Sequence, residues 1–140
     1  MRPQTSFDQM TRHVDVVHVI DDDDAVRESL RFLLESAGFD VRTCDSANAF
    51  LNELPHDIHG CVVTDIRMPG VSGIELLRHL GVMGVALPVI VITGNADVPL
   101  AVEAMKCGAI DFLEKPFDDD ELLSSIRAAL HRQEINTRDE

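Results

Sequence analysis

Five times along this chain a short strand-like run, mostly apolar in three cases and more mixed at residues 39–43 and 110–114, gives way to a segment whose apolar residues recur at helical spacing, and few architectures accept that alternation. The runs cover residues 16–20, 39–43, 61–64, 89–92 and 110–114. Each is followed by a helical pattern with its own punctuation. Val26, Leu30, Leu33, Leu34 and Ala37 form a stripe that Gly38 stops. Residues 46–54 make a short helix closed by Pro55, and Ser72-Gly73-Ile74-Glu75 reads as a capping box opening a helix to Leu80. Asp97 is placed as the N-cap of a fourth helix, with Pro99 in its first turn and Lys106 at its end, before Gly108. Residues 119–132 carry Leu122, Leu123, Ile126, Ala129 and Leu130 on one face behind an acidic first turn. The links between strands are too long for hairpins, so the strands are joined by right-handed crossovers. The result is an α/β fold: a five-stranded parallel sheet with helices on both faces.

Such a sheet brings the carboxyl ends of its strands to one edge, where loops are free of sheet hydrogen bonds and converge. In Cys61-Val62-Val63-Thr64-Asp65-Ile66-Arg67-Met68-Pro69-Gly70 the apolar run ends in one carboxylate. Met-Pro-Gly after it neither continues the strand nor opens a helix at once, so Asp65 sits at a strand's carboxyl end. Asp21 and Asp22 follow the first run, Thr93 the fourth and Lys115 the fifth. Singly, each has an ordinary explanation: capping and dipole chemistry for the acidic run, a structural hydroxyl for Thr93, solvation for Lys115. Together they fall in one shallow cleft.

Carboxylates held about 4 to 5 Å apart repel by roughly 3 to 4 kcal/mol per pair at an effective dielectric near 20, so the cleft needs positive charge. Lys115 supplies one cation. An all-oxygen cluster with a backbone carbonyl nearby suits octahedral Mg²⁺, which keeps several waters. A phosphoryl group brought to Asp65 would then have its oxygens neutralised by Mg²⁺, Lys115 and the Thr93 hydroxyl. Asp65, already ionised, needs no general base to attack phosphorus and form an aspartyl phosphate.

The chain has 140 residues, enough to bury about 68% of its unfolded surface in one ordinary core. No apolar run approaches the roughly 18 residues of a membrane span, and residues 1–13 lack the apolar centre of a signal peptide, so a cytoplasmic location is expected. Cys44, Cys61 and Cys107 are odd in number and far apart, which argues against a disulfide framework and against a zinc site. The net charge of −13, with no Lys/Arg cluster, argues against nucleic-acid binding by this chain. His13, His18, His56, His59, His79 and His131 show no metal-ligand spacing; His18, inside the first strand, is expected to be partly buried.

The Asp21-Asp22 pair, the strand-end Asp65 with Met-Pro-Gly, Thr93-Gly94 and Lys115-Pro116-Phe117 fall in the order and spacing of the receiver domains of bacterial two-component response regulators. The sequence resembles that family over residues 14–132. Val17-His18-Val19-Ile20-Asp21-Asp22-Asp23 and the segment from Asp97 to Lys106 resemble its FixJ-like branch, whose members usually carry a C-terminal helix-turn-helix. The resemblance implies a flavodoxin-like sheet of strand order 2-1-3-4-5, and a phosphoacceptor with some self-dephosphorylation in place of a classical enzyme. It implies that Asp65 accepts phosphate from a sensor histidine kinase. It implies that Asp22, Asp65 and the Arg67 backbone carbonyl ligate Mg²⁺, with Asp21 assisting through water. Thr93 and Lys115 would bind phosphoryl oxygens, Phe112 would be the aromatic switch, and the Lys115-Pro116 peptide would be cis. A homodimer formed on phosphorylation through the fourth helix and fifth strand is implied, with Val98, Leu100, Ala101 and Lys106 as its patch. Residues 1–13 are expected to be an extension and 133–140 a tail. Since the sequence ends near residue 140 with no output domain, two expectations stay open: a stand-alone receiver, or one whose DNA-binding half lies elsewhere.

Two other readings share parts of the pattern. Asp22-Asp23-Asp24-Ala25-Val26 loosely fits the nucleophile motif of haloacid-dehalogenase-type phosphatases, with Asp22 as nucleophile. That family needs a further acidic pair after another strand, whereas Asp118-Asp119-Asp120 opens the last helix. A flavin binder of the same architecture would place aspartates where the flavin phosphate needs hydroxyls and amides.

Overall fold

The computed structural model describes residues 15–55, 58–94 and 97–139, with side chains described as far as Gln133. The extension expected at residues 1–13, with His13, lies outside the described residues, as does His56. Strands β1 (Val16–Ile20), β2 (Asp40–Cys44), β3 (Cys61–Asp65), β4 (Val89–Thr93) and β5 (Asp111–Glu114) alternate with helices α1 (Asp24–Ser36), α2 (Ala47–Asn52), α3 (Gly73–Met83), α4 (Val98–Lys106) and α5 (Asp119–Asp139). The sheet is parallel throughout in the order β2-β1-β3-β4-β5. That order reverses beside β1, between β1 and β3, and such a switch point opens a crevice at the carboxyl edge.

The central strands read as unbroken apolar runs because both of their faces are covered. Val17, Val19, Val63, Ile90 and Ile92 pack with Leu30 and Leu34 of α1 and Leu122 and Ile126 of α5. Ile20, Val62, Val89 and Val91 pack with Phe50 of α2, Leu76 and Leu80 of α3 and Ala104 of α4. Neighbouring residues of one strand thus serve opposite cores, as the period of two demands.

Local signals set most helix ends. The Asp23 carboxylate accepts from the N–H groups of Ala25 and Val26 at 2.9 and 3.2 Å and starts α1. The capping box of α3 is complete: Glu75 N–H donates to the Ser72 hydroxyl at 3.2 Å, and Ser72 N–H donates to Glu75 Oε1 at 2.9 Å. Two expectations are corrected. Asp97 stands at the N-cap position of α4 but makes no side-chain cap bond, because its carboxylate is engaged by Arg67. Helix α5, expected to end at Arg132 ahead of a tail, runs on to Asp139; no glycine or proline between 133 and 139 stops it.

His18 finds its partners on the α2 face. Its Nε2 lies 2.9 Å from the His59 carbonyl oxygen and its ring meets Phe50 edge-on at 5.5 Å. Burial lowers the His18 pKa below 6.5; the His59 carbonyl opposes this, Arg42 adds to it and Asp40 opposes it. The unfolded chain therefore takes up this proton more readily than the folded one, and stability falls as pH drops below 6.5 through the folded value. In urea titrations between pH 7.5 and pH 5, His18→Gln, which keeps a donor for His59 and cannot titrate, should show a flatter loss of stability than the unsubstituted chain. Parallel curves would rule His18 out as the source.

Candidate functional site

The crevice is built by the β1–α1, β3–α3, β4–α4 and β5–α5 loops. Asp21 is buried, with its side chain accepting the Asp23 N–H at 2.9 Å. Arg27 steadies the same loop, donating through Nη1 to the Asp21 carbonyl at 2.7 Å and pairing with Asp24. Asp22 is exposed beside it. One carboxylate oxygen each from Asp21, Asp22 and Asp65 lies within 4.8 Å of the others, the only such group of three among the described residues.

Asp65 ends β3 with a side chain 16% exposed, and Lys115 from the end of β5 brings Nζ to 3.7 Å from its Oδ2. The Arg67 N–H donates to Asp65 Oδ1 at 3.3 Å, which lays the next peptide against the carboxylate. The Lys115 N–H donates to the Thr93 carbonyl at 2.9 Å and so ties the lysine to the end of β4. The Lys115-Pro116 peptide is cis. Burial raises the Asp21 pKa; the Asp23 N–H opposes this, the Asp65 charge adds to it, Lys115 opposes it and Asp22 adds to it. Three carboxylates face one lysine, and three hard oxygen donors fit a small divalent cation such as Mg²⁺.

Thr93 is fully buried, and its hydroxyl donates to the Gly94 carbonyl at 3.3 Å, so it is not bonded to Asp65 in this state. Phe112, paired with Val91 across the β4–β5 ladder, is half-buried against the α2–α3–α4 core. On α4 the expected patch is corrected. Ala101 is fully buried and Leu100 packs on the core, whereas Val98, Val102 and Met105 are 49%, 46% and 40% exposed. Spacing of four and three puts those three on one outward stripe, and Leu100, Ala101 and Ala104 on the inward one.

Two residues were not legible as site residues. Arg27 had only its spacing of three from Asp24 to mark it. Gly73 had only its place in the capping box, yet a Cβ there would lie 2.8 Å from the Asp65 carbonyl oxygen and 2.9 Å from Ile66 Cα. The start of α3 rests directly on the backbone that carries Asp65. In Gly73→Ala the gain in helix propensity is about 1 kcal/mol, against about 1 to 3 kcal/mol for overpacking rigid backbone, so overpacking wins. We expect a net loss in chemical denaturation together with slower phosphorylation; a stability equal to that of the unsubstituted chain would show that α3 can slide away freely.

A model of the response regulator receiver domain matches residues 17–127. The chain belongs to that family. The transcriptional regulatory protein FixJ of Azorhizobium caulinodans is 61% identical over 125 residues, spanning 89% of this chain and 59% of that protein. The FixJ-N crystal structure superposes with a TM-score of 0.80 at 52% identity, over 83% of this chain and 93% of that one. Full-length FixJ from B. japonicum gives a TM-score of 0.83 at 54% identity, over 88% of this chain and 61% of that one. The chain is therefore a FixJ-like receiver of two-component signalling, spanning about three fifths of the length of the FixJ relatives it matches. Its fold and strand order are those of receivers. The phosphatase reading built on Asp22 finds no support: the family match points elsewhere, and Asp119 and Asp120 open α5 outside the acidic cluster.

Proposed function

We infer that Asp65 accepts a phosphoryl group from a sensor histidine kinase, and the observation that carries this is the carboxylate at the end of β3 paired with Lys115 at 3.7 Å. The carboxylate oxygen attacks phosphorus, the phosphorus–nitrogen bond to the donor imidazole breaks, and the imidazole leaves with the electron pair. Lys115 shifts from the carboxylate to the new phosphoryl oxygens, and the Thr93 hydroxyl turns from the Gly94 carbonyl to donate to one of them. Asp22 and Asp65, with the Arg67 carbonyl and with Asp21 through water, would hold Mg²⁺. When bound, Mg²⁺ offsets phosphoryl charge that Lys115 alone cannot balance. Slow hydrolysis of the same acyl phosphate would be the chain's own self-dephosphorylation.

A donor protein meets an apolar groove beside Lys115, lined by Ala25, Val26, Phe32, Leu33 and Phe117, with Phe32 75% exposed. The output surface is α4 with β5, where Val98, Val102 and Met105 form an exposed apolar stripe suited to a second copy of the chain. With a charge of −13 this segment makes no nucleic-acid contact of its own; a role in a FixJ-like transcriptional regulator would be exerted on an attached output domain. Among the described residues no helix is long and apolar enough to cross a membrane, and a cytoplasmic setting suits a kinase substrate.

The test is phosphotransfer from candidate histidine kinases or a small phosphodonor, with and without EDTA. We expect transfer to stop in EDTA and to return with Mg²⁺, and Asp22→Asn to weaken the metal and slow transfer. Undiminished transfer in metal-free buffer would remove the metal site from the account.

A further inference from the structure

We propose that the side chains of Arg67 and Asp97 form a latch holding the start of α4 against the loop after Asp65, and that its release is a second route, beside Thr93, from Asp65 to the α4 face. The inference rests on the reading that α4 carries the output. The guanidinium grips both carboxylate oxygens, Nε to Oδ2 at 2.6 Å and Nη2 to Oδ1 at 2.8 Å, across thirty residues of sequence. Planar two-point pairing of this kind fixes orientation as well as distance.

What Asp97 forgoes is as informative as what it does. It occupies the N-cap position of α4, where an aspartate normally caps its own helix, and makes no such bond. Its side chain is 15% exposed and committed to a residue of another loop. Arg67 in turn is the residue whose main-chain N–H touches Asp65. One residue therefore contacts the candidate phosphoacceptor through its backbone and α4 through its side chain.

A cavity of about 210 Å³ lies between the β3–α3 loop and α4, lined by Ile66, Arg67, Met68, Ser72, Ile74 and Leu100. Leu100 packs on the core beside it and Ala101 is fully buried, so the ion pair adds a polar restraint to apolar contact at this end of α4. The other cross-link, Arg78 to Glu103 at 2.9 Å, joins α4 to α3 at a point away from Asp65. A phosphoryl group on Asp65 carries about 1.5 to 2 negative charges in place of the carboxylate's one, spreads them over oxygens beside the Arg67 backbone, and competes with Asp97 for the guanidinium. The difference in latch contact between the two states then biases α4.

Asp97→Ala removes the latch without removing a helix cap. In the unphosphorylated protein we expect amide exchange at Ala101, whose N–H donates to the Asp97 carbonyl at 3.0 Å, to speed up by about two- to five-fold, the range of a partly exposed ion pair. Adding Arg67→Gln to Asp97→Ala should produce no further acceleration, since the two substitutions break one contact. Unchanged exchange in Asp97→Ala, or acceleration that simply adds in the double variant, would overturn the latch. Self-association with beryllofluoride and Mg²⁺ is the separate arm. If the unsubstituted chain fails to associate, the α4 dimer reading fails while the exchange result still decides the latch. If it does associate, Asp97→Ala should do so about two- to five-fold more tightly, and an unchanged constant would overturn the proposed route.

Discussion

Asp65→Asn should abolish formation of a hydroxylamine-labile acyl phosphate, from kinase and small phosphodonor alike, in a protein that remains folded. The substitution conserves volume, and Asp65 lies at a strand end with its side chain 16% exposed, so packing is spared. Removing one of three crowded carboxylates also relieves repulsion within the cluster, which offsets the lost pairing with Lys115. What is lost is the nucleophile, because an amide oxygen lacks the charge that makes a carboxylate attack without a base. Intact-mass measurement after incubation with donor reads the result, and peptide mapping locates any phosphate. Uptake that persists in Asp65→Asn and disappears in Asp22→Asn would transfer the nucleophile to Asp22.

Why Asp65 was legible as the candidate phosphoacceptor and its supports were not is a matter of range. Val89–Thr93 and Cys61–Asp65 announce themselves because a strand buried on both faces must be apolar at every position. A polar residue closing such a run then marks the sheet's edge, which is how Asp65, Thr93 and Lys115 stand out. The capping box of α3 is legible for the same reason, since its partners are three residues apart. Asp97 has the composition of a cap and was taken by a partner thirty residues away, a competition that no local rule registers. Leu100 and Ala101 were placed outside on α4 because helical periodicity defines a stripe but not which side of the helix the sheet lies on. Gly73 is required by contact with the Asp65 backbone, and close approach between segments leaves no pattern in either.

Thr93→Ala should leave phosphorylation intact and remove most of its effect on self-association, the part carried by the Arg67–Asp97 pair remaining. The Thr93 hydroxyl holds no contact that phosphoryl transfer requires beforehand: it donates to the adjacent Gly94 carbonyl at 3.3 Å, a long bond, and the residue is fully buried at the end of β4. Losing that bond costs about 1 kcal/mol, too little to unfold a domain of this size. After transfer the phosphoryl group offers the hydroxyl a charged acceptor, worth roughly 1.5 to 3 kcal/mol, and that difference can turn Thr93 toward Asp65. Such a turn would draw in the end of β4 and leave space beside Val91, to which Phe112 is paired across the ladder. Phe112, half-buried against the α3–α4 core, can swing into that space and reshape the face that carries Val98, Val102 and Met105. Net of the bond given up, a gain of roughly 0.5 to 2 kcal/mol shifts a two-state equilibrium by roughly two- to thirty-fold, enough for a clear change in association and too little to lock it. Sedimentation velocity at tens of micromolar, with and without beryllofluoride and Mg²⁺, reads the coupling. The unsubstituted chain should gain dimer with the mimic, and Thr93→Ala should bind the mimic and stay largely monomeric. A Thr93→Ala protein that dimerises as fully as the unsubstituted chain would assign the coupling to Asp65, Lys115 and Arg67 without the threonine. A chain that stays monomeric even when unsubstituted would direct the α4 face to a different protein partner.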